Sequence, residues 1–229
     1  VELLIIGGAA LGAFFISSPS KVISGVTKNV MRVFSAKGAS KGEGLGNQFL
    51  GNIRETDAII HVIRCFDDPN VVHVDGSVNP IRDKEVIDAE LQLKDLDSVE
   101  KKISKVQKLA KTGVDKDAKK AYEVLSIYKS ALEAGRSART VNATEEDKMH
   151  IADLQLITVK PVLYVCNVDE KSVKTGNKYV EQVKELVKDE IAQVIVIAAA
   201  IEADIAQLES YEDRKSFPAD LGLEEPGVN

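Results

Sequence analysis

The chain is predicted to be α/β, with parallel strands, flanking helices and an inserted antiparallel coiled-coil hairpin. Three apolar runs supply the strands: AIIHVIRCF (Ala58–Phe66), KPVLYVCN (Lys160–Asn167) and QVIVIAAA (Gln193–Ala200). Each is continuous and rich in valine or isoleucine, as suits a strand buried on both faces of a parallel sheet. Between the first two lies Ile81–Lys111, which contains neither proline nor glycine and reads as one long helix.

Composition bounds the class. The 229 residues carry 29% charged side chains and a net charge of −6, which describes a soluble, acidic protein with enough length for a real core. That balance argues against wholesale nucleic-acid binding but leaves room for a local basic patch. Cys65 and Cys166 sit inside apolar runs and are expected as reduced core thiols of a cytoplasmic protein. Neither has metal-ligand spacing, and His61, His73 and His150 are scattered, so no metal site is expected. His61 and His73 are expected to be structural.

The first stretch, VELLIIGGAALGAFFI, is apolar except for Glu2. Its uncharged core of about 14 residues falls short of the roughly 20 that span a bilayer. It also lacks the basic leader and cleavage site of a secretory signal. SKVISGVTKNVMRVF follows, with Val22, Val26, Val30 and Val33 on one side of a weak amphipathic helix. Gly7 to Gly12 has the GxxxxG frame of a phosphate loop, but Ala13 and Phe14 stand where Lys and Ser/Thr should be. Without that lysine and hydroxyl, no working phosphate loop is expected.

GASKGEGLGNQFLGNIRE (Gly38–Glu55) has flexible glycines around Lys41 and Glu43, then a helical pattern through Phe49, Leu50 and Ile53. A mobile loop, a helix and a buried strand in that order look like the second switch segment of a nucleotide hydrolase. The loop after the strand, DDPNVVHVDGSVNP, is rich in turn formers.

Within the long helix, Leu96, Val99, Ile103, Val106 and Ala110 repeat at coiled-coil spacing. Thr112-Gly113 ends it, and a second helix carries Ala118, Ala121, Leu125, Tyr128 and Leu132 before Gly135. Two such seams need each other, because neither helix is stable alone in water. Near the tip Lys101, Lys102, Lys105, Lys108, Lys111, Lys116, Lys119 and Lys120 outnumber the acids. Two readings of this face are open: a solvated lysine surface, or a contact for the phosphate backbone of RNA.

The second strand ends in Asn167-Val168-Asp169-Glu170. By themselves these residues read as a strand-end asparagine in an acidic turn. The helix Asn177–Glu190 follows, with Tyr179, Val180, Val183, Leu186 and Val187 on its apolar side.

Taken together, the switch wording, the strand AIIHVIRCF, the inserted hairpin and the NxxE tetrad resemble the Obg-like ATPase (YchF) family over about Gly38–Asn229. Val1–Phe34 resembles instead the flagellar-motor stator subunit MotA, in which such a segment ends a membrane helix. The resemblance implies a truncated P-loop NTPase of the GTPase superfamily. Residues 38–80 and 155–229 would form a partial G domain, 81–154 the coiled-coil insertion, and 1–37 a foreign apolar segment. It implies ATP as ligand, Mg²⁺ in the intact family, slow hydrolysis and association with the ribosome or ribosomal RNA.

By the same resemblance Asn167, Val168 and Glu170 would meet the base, and Ala199 and Ala200 would cover its other face. Gly38, Lys41, Gly42, Gly44 and Gly46 would belong to the switch, and Asn52 would stand where some members place a water-positioning histidine. Lys101, Lys105, Lys108, Lys116 and Lys119 would be the RNA or ribosome contacts. The family's phosphate loop, its DxAG turn and its C-terminal TGS domain are missing, so efficient hydrolysis is not expected and the enzyme class stays open. Two alternatives stand beside this reading: a non-catalytic RNA or ribosome interaction module, and a membrane-tethered stator-like fragment anchored to an inner membrane by residues 1–18.

Without the phosphate-loop strand, three parallel strands would leave one long apolar edge uncovered. The leader is expected as a loosely attached helix, with LLIIGG pairing on that edge as the alternative.

Overall fold

A computed structural model of the chain describes residues 3–7, 32–35, 54, 56–69, 77–113, 115–190 and 192–208, with positions 210, 212 and 216. It divides into two compact units. One comprises Val1–Gly46, Thr56–Lys84 and Val162–Asn229; the other comprises Asn47–Glu55 and Glu85–Pro161.

The first unit is built on a five-stranded sheet. Its strands are β1 (Leu3–Gly7), β2 (Arg32–Ser35), β3 (Ala58–Arg64), β4 (Val162–Asn167) and β5 (Gln193–Ile197), in the order β2-β1-β3-β4-β5. Every pair is parallel. β3 and β4 are nearly continuous in burial, as their unbroken apolar runs require, whereas the edge strand β5 is half exposed.

Two expectations are corrected here. The sheet has five strands rather than three, and Leu3–Gly7 is a strand rather than a loose helix. β1 pairs with β3 from Leu3↔Ala58 to Gly7↔Val62 and with β2 on its other side. The physical reason lies in β3: a buried strand cannot leave its backbone N–H and C=O groups unpaired. Leu-Leu-Ile-Ile is as acceptable to a central strand as to a helix, and the vacant edge decides. Of the amphipathic stretch, Arg32–Ser35 is extended; Val22, Val26 and Val30 lie outside the described residues. No helix among the described residues is long and apolar enough to cross a membrane.

Helix α1 (Pro80–Thr112) begins in this unit and continues into the second. Its start is written locally. Asn79 caps it by accepting the Arg82 N–H at 3.1 Å, and Pro80 occupies the first helical position, where no N–H is needed. Lys84 in this first stretch is 4% exposed and pairs with Glu190 at 2.7 Å; the Tyr164 hydroxyl donates to the other oxygen of that carboxylate at 2.7 Å. On the same sheet face, the buried His61 stands beside Tyr164 with ring centres 5.7 Å apart. His73 lies outside the described residues.

The second unit is the helical insertion. α2 (Lys116–Glu133) starts at Asp115, whose carboxylate accepts the Ala118 N–H at 2.9 Å. It stops at Gly135, which adopts φ +69° and closes the helix with bonds from Gly135 N–H to Leu132 and from Arg136 N–H to Ala131. The two seams meet as the spacing requires: Val99, Val124, Leu125, Tyr128 and Leu132 are buried together, with Leu96, Ile103 and Val106 packed against them. A short helix, α3 (Glu145–Met149), carries a capping box between Thr144 and Asp147, and Asp147 reaches Lys120 of α2 at 2.7 Å.

Candidate functional site

The carboxyl ends of β3, β4 and β5 lie in register, with Arg64 opposite Asn167 and Asn167 opposite Ile197. Ligands of open parallel sheets bind at this end of the strands. Asn167, 6% exposed, ends β4. Its carbonyl accepts the Cys65 N–H at 2.7 Å, and its side-chain Oδ1 accepts the Ala199 N–H at 3.0 Å.

That second bond has a local cause. Helix α5 (Ala199–Gln207) begins after Ala198, which has no side chain able to cap it. A helix start leaves backbone donors without partners, and Asn167 satisfies one from the neighbouring strand. The end of β4 and the start of α5 are therefore tied together. Ala199 and Ala200 are the first turn of α5 rather than a loop after the strand, a correction to the extent of that strand: β5 ends at Ile197. Ala199 is buried and Ala200 exposed.

Val168 is buried, and its N–H already donates to the Ile197 carbonyl at 2.8 Å. Its backbone donor is thus committed to the sheet. The carboxylate of Asp169 accepts the Ser172 N–H at 2.9 Å and caps the short turn Glu170–Ser172, while Glu170 is exposed. Of the two acids after the strand, one holds the turn and the other faces outward.

Two further residues shape this end of the sheet without having been singled out in the sequence. Asn177 caps helix α4 (Lys178–Val187) by accepting the Tyr179 and Val180 N–H groups, and its amide donates to the Cys65 carbonyl at 2.7 Å. Arg64 is 5% exposed, donates to the Phe66 and Asp68 carbonyls and lies over the Phe66 ring at 4.7 Å. An asparagine before a helical pattern and an arginine inside an apolar run were the available signals. Tyr179 adds a bond from its hydroxyl to the Asp67 carboxylate at 2.8 Å.

Cys65 and Cys166 are both free and fully buried. The hydrogen bond between the two thiols, with burial, pushes Cys65 up; the same bond brings Cys166 down. They are core thiols, as expected. No group of three metal-ligating side chains occurs among the described residues.

In the insertion, Lys101, Lys105, Lys108, Lys116 and Lys119 are all exposed. Lys101 is paired with Asp97 at 2.7 Å, Lys102 with Asp153, and Lys120 with Asp147. Gly38, Lys41, Gly42, Gly44, Gly46 and Asn52 lie outside the described residues, as do residues 8–31.

Comparison with known proteins joins this geometry to a lineage. The chain is 51% identical over 193 residues to the ribosome-binding ATPase YchF of Escherichia coli O157:H7, covering 84% of this chain and 52% of that protein. Over this stretch the chain belongs to the YchF family. The Bacillus subtilis protein of the same name is 49% identical over 195 residues, covering 84% of this chain and 53% of that one. The structure of the Schizosaccharomyces pombe YchF GTPase superposes with a TM-score of 0.80 at 25% identity, covering 98% of this chain and 72% of that one. The fold is therefore that of a YchF P-loop NTPase domain with its helical insertion. This chain spans about half the length of the curated YchF relatives it matches. The family of motility protein A N-terminal segments matches residues 1–46, so the opening resembles a second, unrelated family.

Proposed function

We propose that this chain binds a purine nucleotide, ATP in preference to GTP, at the carboxyl ends of β4 and β5, and turns it over little or not at all. The observation that carries this reading is the 3.0 Å bond from the Ala199 N–H to Asn167, which brings the turn after β4 and the start of α5 together, the two places a purine would need. Asn167 would hold the loop and the edge of the base, and Ala199 and Ala200 would leave room for a flat ring. Glu170 would take the specificity position. Guanine presents donors at N1 and N2 that a suitably placed aspartate accepts, and adenine presents neither. The longer Glu170, on an exposed turn, does not reproduce that aspartate, which supports ATP.

The triphosphate is held less well. Phosphoryl transfer depends on positioned charge around the γ-phosphate. The frame after β1 continues into Ala13 and Phe14, which offer neither an ammonium nor a hydroxyl. Magnesium therefore lacks the phosphate-loop hydroxyl that would hold it, and these residues do not fit the ion. The exposed lysines at the hairpin tip support contact with ribosomal RNA, in keeping with the ribosome-binding relatives and with a cytoplasmic setting. A membrane tether finds less support, because Leu3–Gly7 is paired within the sheet.

Calorimetry with ATP and GTP tests the base site. Weak ATP binding that does not require Mg²⁺, with weaker GTP binding, is expected. Glu170→Asp should narrow the difference by about tenfold, roughly 1.4 kcal/mol. Tight, Mg²⁺-dependent ATP binding would show that the phosphates are gripped after all, and equal affinity for the two bases would remove the role of Glu170.

A further inference from the structure

Cys65 is fully buried one position past the end of β3, where a backbone carbonyl must still find a donor. It finds one at the cap of α4. The Asn177 amide donates to the Cys65 carbonyl at 2.7 Å, and the Cys65 N–H donates to the Asn167 carbonyl at 2.7 Å. Asn167 in turn accepts the Ala199 N–H on its side chain at 3.0 Å. Asn177, Cys65, Asn167 and Ala199 thus form one hydrogen-bonded row across the ends of β3, β4 and β5, inside a single compact unit.

Asn177 uses the two ends of its amide for two purposes. The oxygen accepts the Tyr179 and Val180 N–H groups at 3.0 and 3.1 Å, which caps α4. The nitrogen turns to Cys65, because a carbonyl can be met only by a donor. Aspartate or serine would cap the helix as well, but an ionised carboxylate has no hydrogen to give. The bond to Cys65, not the cap, is therefore what asks for an asparagine here. Tyr179 holds the chain after β3 at a separate point, through its hydroxyl and the Asp67 carboxylate at 2.8 Å. That bond bypasses Cys65 and supplies a control.

We infer that Asn177 is a positioning residue for recognition of the base. It sets Cys65, and through Cys65 the end of β4, from which Asn167 would meet the purine. Affinity for the nucleotide then depends on an amide that acts through two other residues. The row stands on the hydrogen bonds alone; its use in recognition rests on the base site proposed above.

Magnetic resonance of the isotope-labelled full chain tests both. Without nucleotide, Asn177→Asp keeps the cap and loses the donor, so the Cys65 and Ala199 amide resonances should both shift while those of α4 keep helical values. Asn177→Ser brings no charge, keeps a capping oxygen on a shorter side chain, and should shift the same two amides. Tyr179→Phe removes the bond to Asp67 and should leave Ala199 in place. Ala199 unmoved in both Asn177 variants, or moved as far by Tyr179→Phe, would overturn the positioning. Titration with ATP reads the consequence. In the wild type ATP should shift Asn167 and Ala199, and Asn177→Asp should weaken binding by about tenfold while Tyr179→Phe leaves it unchanged. Full ATP affinity in Asn177→Asp would overturn the role in recognition. No shift with ATP in the wild type would instead sink the base site itself and that role with it, and the nucleotide-free spectra would still decide whether the row exists.

Discussion

Asn167 shows how much one side chain can settle. It closes β4, and from there it caps a helix that has no cap of its own, so the end of β4 and the start of α5 become one variable. Asn167→Ala should cost about 1–2 kcal/mol, the usual penalty for losing a helix cap, and urea unfolding would measure it. A variant as stable as the wild type would mean that water replaces the amide at no cost. Asp147 offers a second test, in pH. Its bonds to Lys120, then to Thr144, hold the carboxyl at about 2, below the ordinary 3.8. A depressed pKa favours the folded state above the unfolded value, and the contribution is lost as pH falls through the folded one. The wild type should therefore lose stability relative to Asp147→Asn between about pH 4 and pH 2, with the two converging near pH 2. Parallel curves across that window would show that this partly buried pair contributes nothing.

At the scale of elements, the hairpin is the part in which sequence and structure agree most closely. Ala118, Ala121, Leu125, Tyr128 and Leu132 were legible as a seam from spacing alone, and all five are buried. Gly113 and Gly135 both take positive φ where the helices end. Local rules suffice here because each helix meets a partner only a short turn away. Leu125 is fully buried between the helices. Leu125→Ala should destabilise the insertion by about 3 kcal/mol, read as a lower urea midpoint; a loss below about 1 kcal/mol would mean that the seam collapses around the cavity. The base site was legible only in part. Asn167 and Glu170 stand out as a tetrad after a strand, but the capping bond to Ala199 joins residues far apart in sequence, and no spacing announces it. The bond from Lys160 to the Arg54 carbonyl was missed for the same reason, because the two residues are far apart in sequence.

For the whole molecule, the question is what covers the edge of β3. In the structure β1 does so and β2 in turn covers β1, and the motility protein A N-terminal family matches the segment that supplies both strands. Deleting residues 1–37 should strip both strands and expose the edge of β3. The shortened chain is expected to aggregate at concentrations where the full chain stays dispersed, and light scattering after size exclusion would show it. A monodisperse, equally stable product would mean that the sheet does not need its leader.

The sequence by itself determined the class, the three strands from Ala58 onward, the hairpin and the family, because each is written in short-range periodicity or in motifs within a few residues. Only the tertiary structure decided the fate of Leu3–Gly7, the start of α5 at Ala199 and the bond from the buried Lys160 to the Arg54 carbonyl. In each case a polar backbone group, or a charge drawn out of water, had to find a partner remote in the chain. That partner exists only once the chain has folded.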